Sequence, residues 1–104
     1  MKKTKVTFNN EHLQLAVDIL RALAHPLRLK ILEFIDNSGE TNVNRIYHSL
    51  DIEQSLTSQH LGVMKRAGIV HASKDGKFVH YKIDYKIVEK AEKAINNFLA
   101  AEKR

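Results

Sequence analysis

Cysteine is absent from the 104 residues, and that one omission removes disulfides, thiolate metal sites and thiol redox switches together. Hydrophobic runs are short. None approaches the ~20 residues needed to span a bilayer, and no apolar stretch behind Met1-Lys2-Lys3-Thr4-Lys5 is long enough for a signal-peptide core. A cytoplasmic protein is expected. Linkers, repeats and low-complexity segments are missing as well, so residues 9–104 read as one domain behind a basic arm, residues 1–8. The sequence carries no Gly-rich phosphate loop, no Ser-His-Asp arrangement and no paired carboxylates in a recognisable setting, which speaks against an enzyme.

What is present is ordinary for a folded chain, 43% hydrophobic and 28% charged, but with a net charge of +5. Such a surplus favours a polyanionic partner. Leu13, Ala16, Leu20 and Leu23 recur at steps of three and four, which predicts an amphipathic helix from Asn10 to Leu23. His25-Pro26 interrupts it, and proline suits the first turn of a new helix because its missing N–H is not needed there. That second helix, Pro26 to about Asn37, carries Leu27, Leu29, Ile31, Leu32, Phe34 and Ile35, so it reads as apolar nearly all round and as the buried centre. Ser38-Gly39 stops it.

Val43, Ile46, Tyr47 and Leu50 mark a short third helix, and Asp51-Ile52-Glu53 joins it to a fourth, Gln54 to about Ala67, capped by Gly68. Two helices joined by so few residues read as helix-turn-helix. From Ile69 to Ile83 the pattern alternates around Asp75-Gly76, a strong hairpin signal. Taking those two residues as the turn sets Lys74 opposite Lys77, Ala72 opposite Val79, His71 opposite His80 and Val70 opposite Tyr81. The last helix runs from about Asp84 to Glu102, with Ile87, Ala91, Ala94, Ile95, Phe98 and Leu99 as its stripe. The fold class is mainly α with a β-hairpin: five helices and a two-stranded wing.

Four stretches in this order resemble the ArsR/SmtB family of bacterial winged-helix repressors. Leu20 to Leu32 resembles the entry into that family's second helix, and Ser55 to Leu61 its recognition helix. Gly68-Ile69-Val70 resembles the strand entry, and Gly76 through Tyr81 the wing. The resemblance implies a sequence-specific DNA-binding repressor acting on an inverted-repeat operator as a homodimer, with the first and last helices as the dimer interface. Leftover apolar faces on those two helices point the same way.

If Leu61 faces the core, Thr57 and Met64 follow it, and Ser55, Gln59, Gly62 and Arg66 fall opposite. Ser58 lies on the flank and Gln54 in the first turn. Gln, Ser and Arg can bond base edges or phosphates, and the helix start aims N–H groups at phosphate. Lys74 and Lys77 on the wing are expected on the DNA backbone, with Asn44 and Arg45 as further backbone candidates. Gly62 stands where the resembled family has a larger, often basic, residue and costs about 1 kcal/mol against Ala. Thr57 stands where an aliphatic residue is usual and can bond back to a carbonyl one turn earlier. Leu56 is exposed on this reading and could meet a thymine methyl.

The family's metal sites are not retained. At its cysteine positions this chain has Asn42 and Asn44, and along the last-helix pattern it has Asp84, Lys86, Asn97 and Ala100. One carboxylate does not hold zinc. No cofactor is expected, and nothing in the sequence names an inducer, metal or small molecule. Of the histidines, His71 and His80 are the notable pair, ~5 Å apart at Cβ in the register above. Two readings therefore stand beside the metal-independent repressor: a metal-responsive repressor with a non-standard histidine site, and a winged-helix module that binds protein.

Overall fold

His25 and Pro26 divide what would otherwise be one long helix. In a computed structural model, which describes the backbone of residues 11–102 and the side chains of residues 14–93 and 96, α1 spans Glu11–Leu23 and α2 spans Pro26–Ser38. His25 is extended, φ −152° and ψ 121°, and its Nδ1 accepts from the Leu27 N–H at 3.1 Å, so an imidazole caps α2 while Pro26 fills the first helical position. Gly39 ends α2 at φ +83°, donating its N–H to the Ile35 carbonyl at 2.8 Å. The proposed arm, residues 1–8, lies outside the described residues. So do the side chains of Leu13, Ala94, Ile95, Phe98 and Leu99, with those of His12, Asn97 and Ala100.

The chain continues as β1 (Thr41–Asn42), α3 (Val43–Leu50), α4 (Gln54–Arg66), β2 (Val70–Asp75), β3 (Phe78–Ile83) and α5 (Tyr85–Glu102). Every described helix and the sheet give the core something. Ile19 and Ala22 come from α1, Ile31, Leu32 and Ile35 from α2, Ile46 from α3, and Leu61 and Met64 from α4. Ile69, Val70, Ile83 and Ala91 complete it. Each full burial of such a side chain is worth about 1.5–3 kcal/mol, and that term dominates the fold.

Three expectations change. First, α2 is not buried all round. Leu29 is 52% exposed, and Leu27 and Phe34 are half-buried. One side of α2 meets α3, α4 and β3, whereas the other borders an open apolar groove of about 600 Å³ shared with α5.

Second, the hairpin register shifts. Asp75 pairs with Phe78, Lys74 with Val79, Ser73 with His80, Ala72 with Tyr81, His71 with Lys82 and Val70 with Ile83. The two turn residues are therefore Gly76-Lys77. Gly76, at φ +66°, takes the first central position, where a type II′ turn calls for glycine. The shift carries each partner along by two residues, so Val70, Ala72, Val79, Tyr81 and Ile83 keep their inward face. It nevertheless breaks the Lys74–Lys77 and His71–His80 pairs. Third, the sheet has three strands in the order β1-β3-β2, with Thr41 beside Tyr81 and Asn42 beside His80.

Candidate nucleic-acid interface

The turn between α3 and α4 is fixed by the backbone. Asp51 closes α3 in the left-handed region, φ 56° and ψ 50°, a conformation that a short polar side chain tolerates. Ile52 then donates its N–H to the Tyr47 carbonyl at 3.0 Å and tucks against the core. Glu53 stands at the N-cap of α4 without capping it through its side chain. Its carbonyl accepts both the N–H and the Oγ1–H of Thr57, each at 3.0 Å. The back-bond expected of Thr57 is thus present, and it makes a hydroxyl acceptable at a fully buried position. At its far end α4 closes with Gly68 donating to Lys65 and Ile69 donating to Met64, a Schellman pattern with Gly68 at φ +81°.

Helical geometry then sorts the side chains of α4. Thr57, Leu61 and Met64 are fully buried and His60 is 6% exposed. Gln54, Ser55, Ser58, Gln59 and Arg66 are all exposed on the other side, and Leu56 is 37% exposed between them. Nothing around Gly62 demands a glycine. A Cβ there would meet only the Arg66 guanidinium, at 3.4 Å, an ordinary contact with the end of a flexible side chain.

α3 packs on α4 from one side and β2 from another. Asn44 and Arg45 are exposed on the first turn of α3, where the Asn42 side chain caps the helix by accepting from the Arg45 N–H at 2.9 Å. Lys74 and Lys77 are both exposed on the wing, although no longer opposite each other. Lys77 sits in the turn with its Nζ 6.0 Å from the centre of the exposed Phe78 ring. All nine residues expected at the interface are therefore solvent-facing, on α4 and on the α3 and wing elements beside it.

The histidine site expected as an alternative loses its geometry. His71 is bonded through Nε2 to Asp84 Oδ2 at 2.8 Å, not paired with His80. Asp84 also caps α5, its Oδ1 accepting from the N–H groups of Lys86 at 3.1 Å and Ile87 at 3.3 Å. The His71 bond and these backbone donors hold the Asp84 carboxyl below the usual range. Among the described residues no group of three or more histidine, aspartate or glutamate side chains could hold a metal ion.

One pair went unseen in the sequence. Arg28 donates from Nε to His60 Nδ1 at 3.0 Å and from Nη1 to the Ala22 carbonyl at 3.2 Å. The available signal was a charge placed in the apolar run of α2.

A three-stranded sheet with an exposed two-stranded wing, set beside a helix-turn-helix whose second helix turns a polar face outward, defines a winged helix-turn-helix DNA-binding domain. The description of the bacterial regulatory protein arsR family matches residues 25–72. An uncharacterized HTH-type transcriptional regulator of Methanocaldococcus jannaschii, MJ1325, is 35% identical over 80 residues, covering 76% of this chain and 90% of that protein. The transcriptional repressor PagR of Bacillus anthracis is 34% identical over 79 residues, covering 76% and 79%. The match to the Mycobacterium tuberculosis regulator Rv0081 is 36% identical over 70 residues, 67% of this chain but 61% of that protein's length.

Among solved structures, a possible transcriptional regulator for arsenical resistance superposes with a TM-score of 0.71 at 32% identity, covering 78% of this chain and 83% of that one. The fold is shared also by a homodimeric winged helix-turn-helix domain from Mycobacterium bovis, with a TM-score of 0.74 at 23% identity over 98% of this chain and 93% of the other. The chain belongs to the ArsR family of bacterial regulatory proteins, and the relatives it matches are transcriptional regulators. No helix among the described residues is long and apolar enough to cross a membrane.

Proposed function

We propose that this regulator is a repressor that binds an inverted-repeat duplex as a homodimer and works in the cytoplasm, without the usual cysteine or last-helix metal site. Residues 9–104 act as one domain, with residues 1–8 as a basic arm. Gln54, Ser55, Ser58 and Gln59 read base edges in the major groove, while Arg66, Lys74, Lys77, Asn44 and Arg45 take phosphates. The observation that carries this reading is the outward side of α4, where Gln54, Ser55, Ser58 and Gln59 stand exposed near a helix start that no side chain caps.

A two-fold pairing through α1 and α5 is supported by apolar side chains that the single chain leaves open, Leu15 at 53% exposure and Leu20 on α1. The M. bovis domain of the same fold is a homodimer, and PagR is a repressor. Two copies would bring twice the +5 charge to the duplex, so binding should weaken steeply with salt.

Selection of bound sequences from random duplex DNA tests the reading. Enrichment of an inverted repeat is the expected result. No enrichment, even at low ionic strength, would overturn it.

A further inference from the structure

The base-reading side chains work as a set only if α4 keeps one rotation about its own axis, since neighbouring residues point about 100° apart. Most of what buries α4 cannot set that rotation sharply. Contacts of Leu61 and Met64 are non-directional, and the Thr57 hydroxyl spends its bond inside its own helix. Among the described residues, the one side-chain hydrogen bond that leaves α4 for another element is His60 Nδ1 accepting from Arg28 Nε at 3.0 Å. The same guanidinium donates to the Ala22 carbonyl, so it ties α4 to α2 and to the last turn of α1. His25 closes the other side, its ring edge-on to His60 with centroids 4.6 Å apart and planes at 62°. Its Nδ1 is already committed to the cap of α2.

We propose that Arg28 and His60 are positioning residues for sequence reading, setting the rotation of α4 against α2 so that Gln54, Ser55, Ser58 and Gln59 meet base edges together. This deepens the DNA-binding reading and rests on it for its consequence, whereas the positioning itself belongs to the free protein.

The chemistry makes the device sensitive to acid. Because Nδ1 accepts, the neutral ring carries its proton on Nε2. A second proton, at Nδ1, would displace the Arg28 donor and set two cations together. Burial first, then the nearby His25 and Arg28, hold the His60 pKa below its ordinary value. Across from α1, Asp18 and Arg21 line the adjoining groove with Arg66. The ionisable groups of α3 and β2, Arg45, His48, Asp51, His71, Lys74 and Asp75, are exposed, apart from the half-buried Tyr47. The folded ring thus binds its proton more weakly than a free imidazole. Stability is intact above the ordinary value near ~6.5 and falls as pH drops below it.

Two variants test the proposal, Arg28→Lys, which lacks the two-pronged donor, and His60→Asn, which keeps an acceptor near Nδ1 that cannot be protonated. In the free protein, Arg28→Lys should stay folded and displace the backbone amide resonances of Gln54 to Gln59. Its affinity for a duplex enriched from random DNA should fall about tenfold, the worth of one good base contact. Affinity for random duplex should stay within about twofold, because phosphate contacts are retained. The parent should lose affinity for the enriched duplex selectively between about pH 7.5 and about pH 5.5, and His60→Asn should not.

Unmoved amides in Arg28→Lys, equal loss on both duplexes, or a parental pH profile in His60→Asn would each overturn the proposal. If the parent enriches no duplex, the DNA-binding reading fails by itself. The amide positions, read without DNA, still decide whether Arg28 positions α4.

Discussion

The recognition helix and the wing meet solvent side by side, yet they are held by different forces. α4 is anchored by four buried side chains and tied to α2 through Arg28, so one polar face is aimed in one direction. The wing is a backbone ladder in which no residue from Ser73 to Phe78 is buried. A surface fixed in direction can discriminate between base edges. One fixed only in place can supply charge, and on the proposed reading α4 gives specificity and the wing affinity.

Removing the anchor should have the largest effect. Leu61→Ala empties a fully buried position and should cost about 2–5 kcal/mol in chemical denaturation. A loss under 1 kcal/mol, on the order expected of a surface change, would mean that α4 is not held from within. Next come the groups proposed to read bases. Gln59→Ala and Ser58→Ala should each weaken binding to an enriched duplex by about 1–3 kcal/mol while leaving random duplex nearly unchanged. Equal loss on both would erase the contrast between helix and wing. Lys74→Ala and Lys77→Ala should lower affinity on every sequence alike and reduce the salt slope by about one each.

The smallest effect sharpens the comparison from inside α4. Gly62→Ala should add up to about 1 kcal/mol of stability in thermal unfolding, since the new Cβ meets only a mobile guanidinium. A destabilised variant would show that Arg66 needs the space.

The helices were legible because their signals are local. His25-Pro26, Ser38-Gly39 and Gly68 each mark a boundary within a residue or two, and the spacing of Thr57, Leu61 and Met64 sorted the faces of α4 without coordinates. The hairpin was legible as a hairpin but not in register. Asp75-Gly76 fits a two-residue turn, and so does Gly76-Lys77; the choice lies in the positive φ of Gly76 and in how Val70 meets Ile83. β1 escaped because two residues carry no alternation to detect. Arg28 and His60 are 32 residues apart, and no periodicity links a guanidinium to an imidazole at that distance. Leu29 read as core because its helix is apolar, although the side it occupies is left open within a single chain.

The central claim is that α4 and the wing, rather than the open faces of α1, α2 and α5, meet DNA. Titrating isotope-labelled protein with an enriched duplex, and following backbone amides, tests it most directly. The largest shifts should fall on Gln54, Ser55, Ser58 and Gln59, with smaller ones at Lys74 and Lys77. Shifts concentrated at Leu15, Leu29 and Tyr85, with Gln54 to Gln59 unmoved, would contradict it.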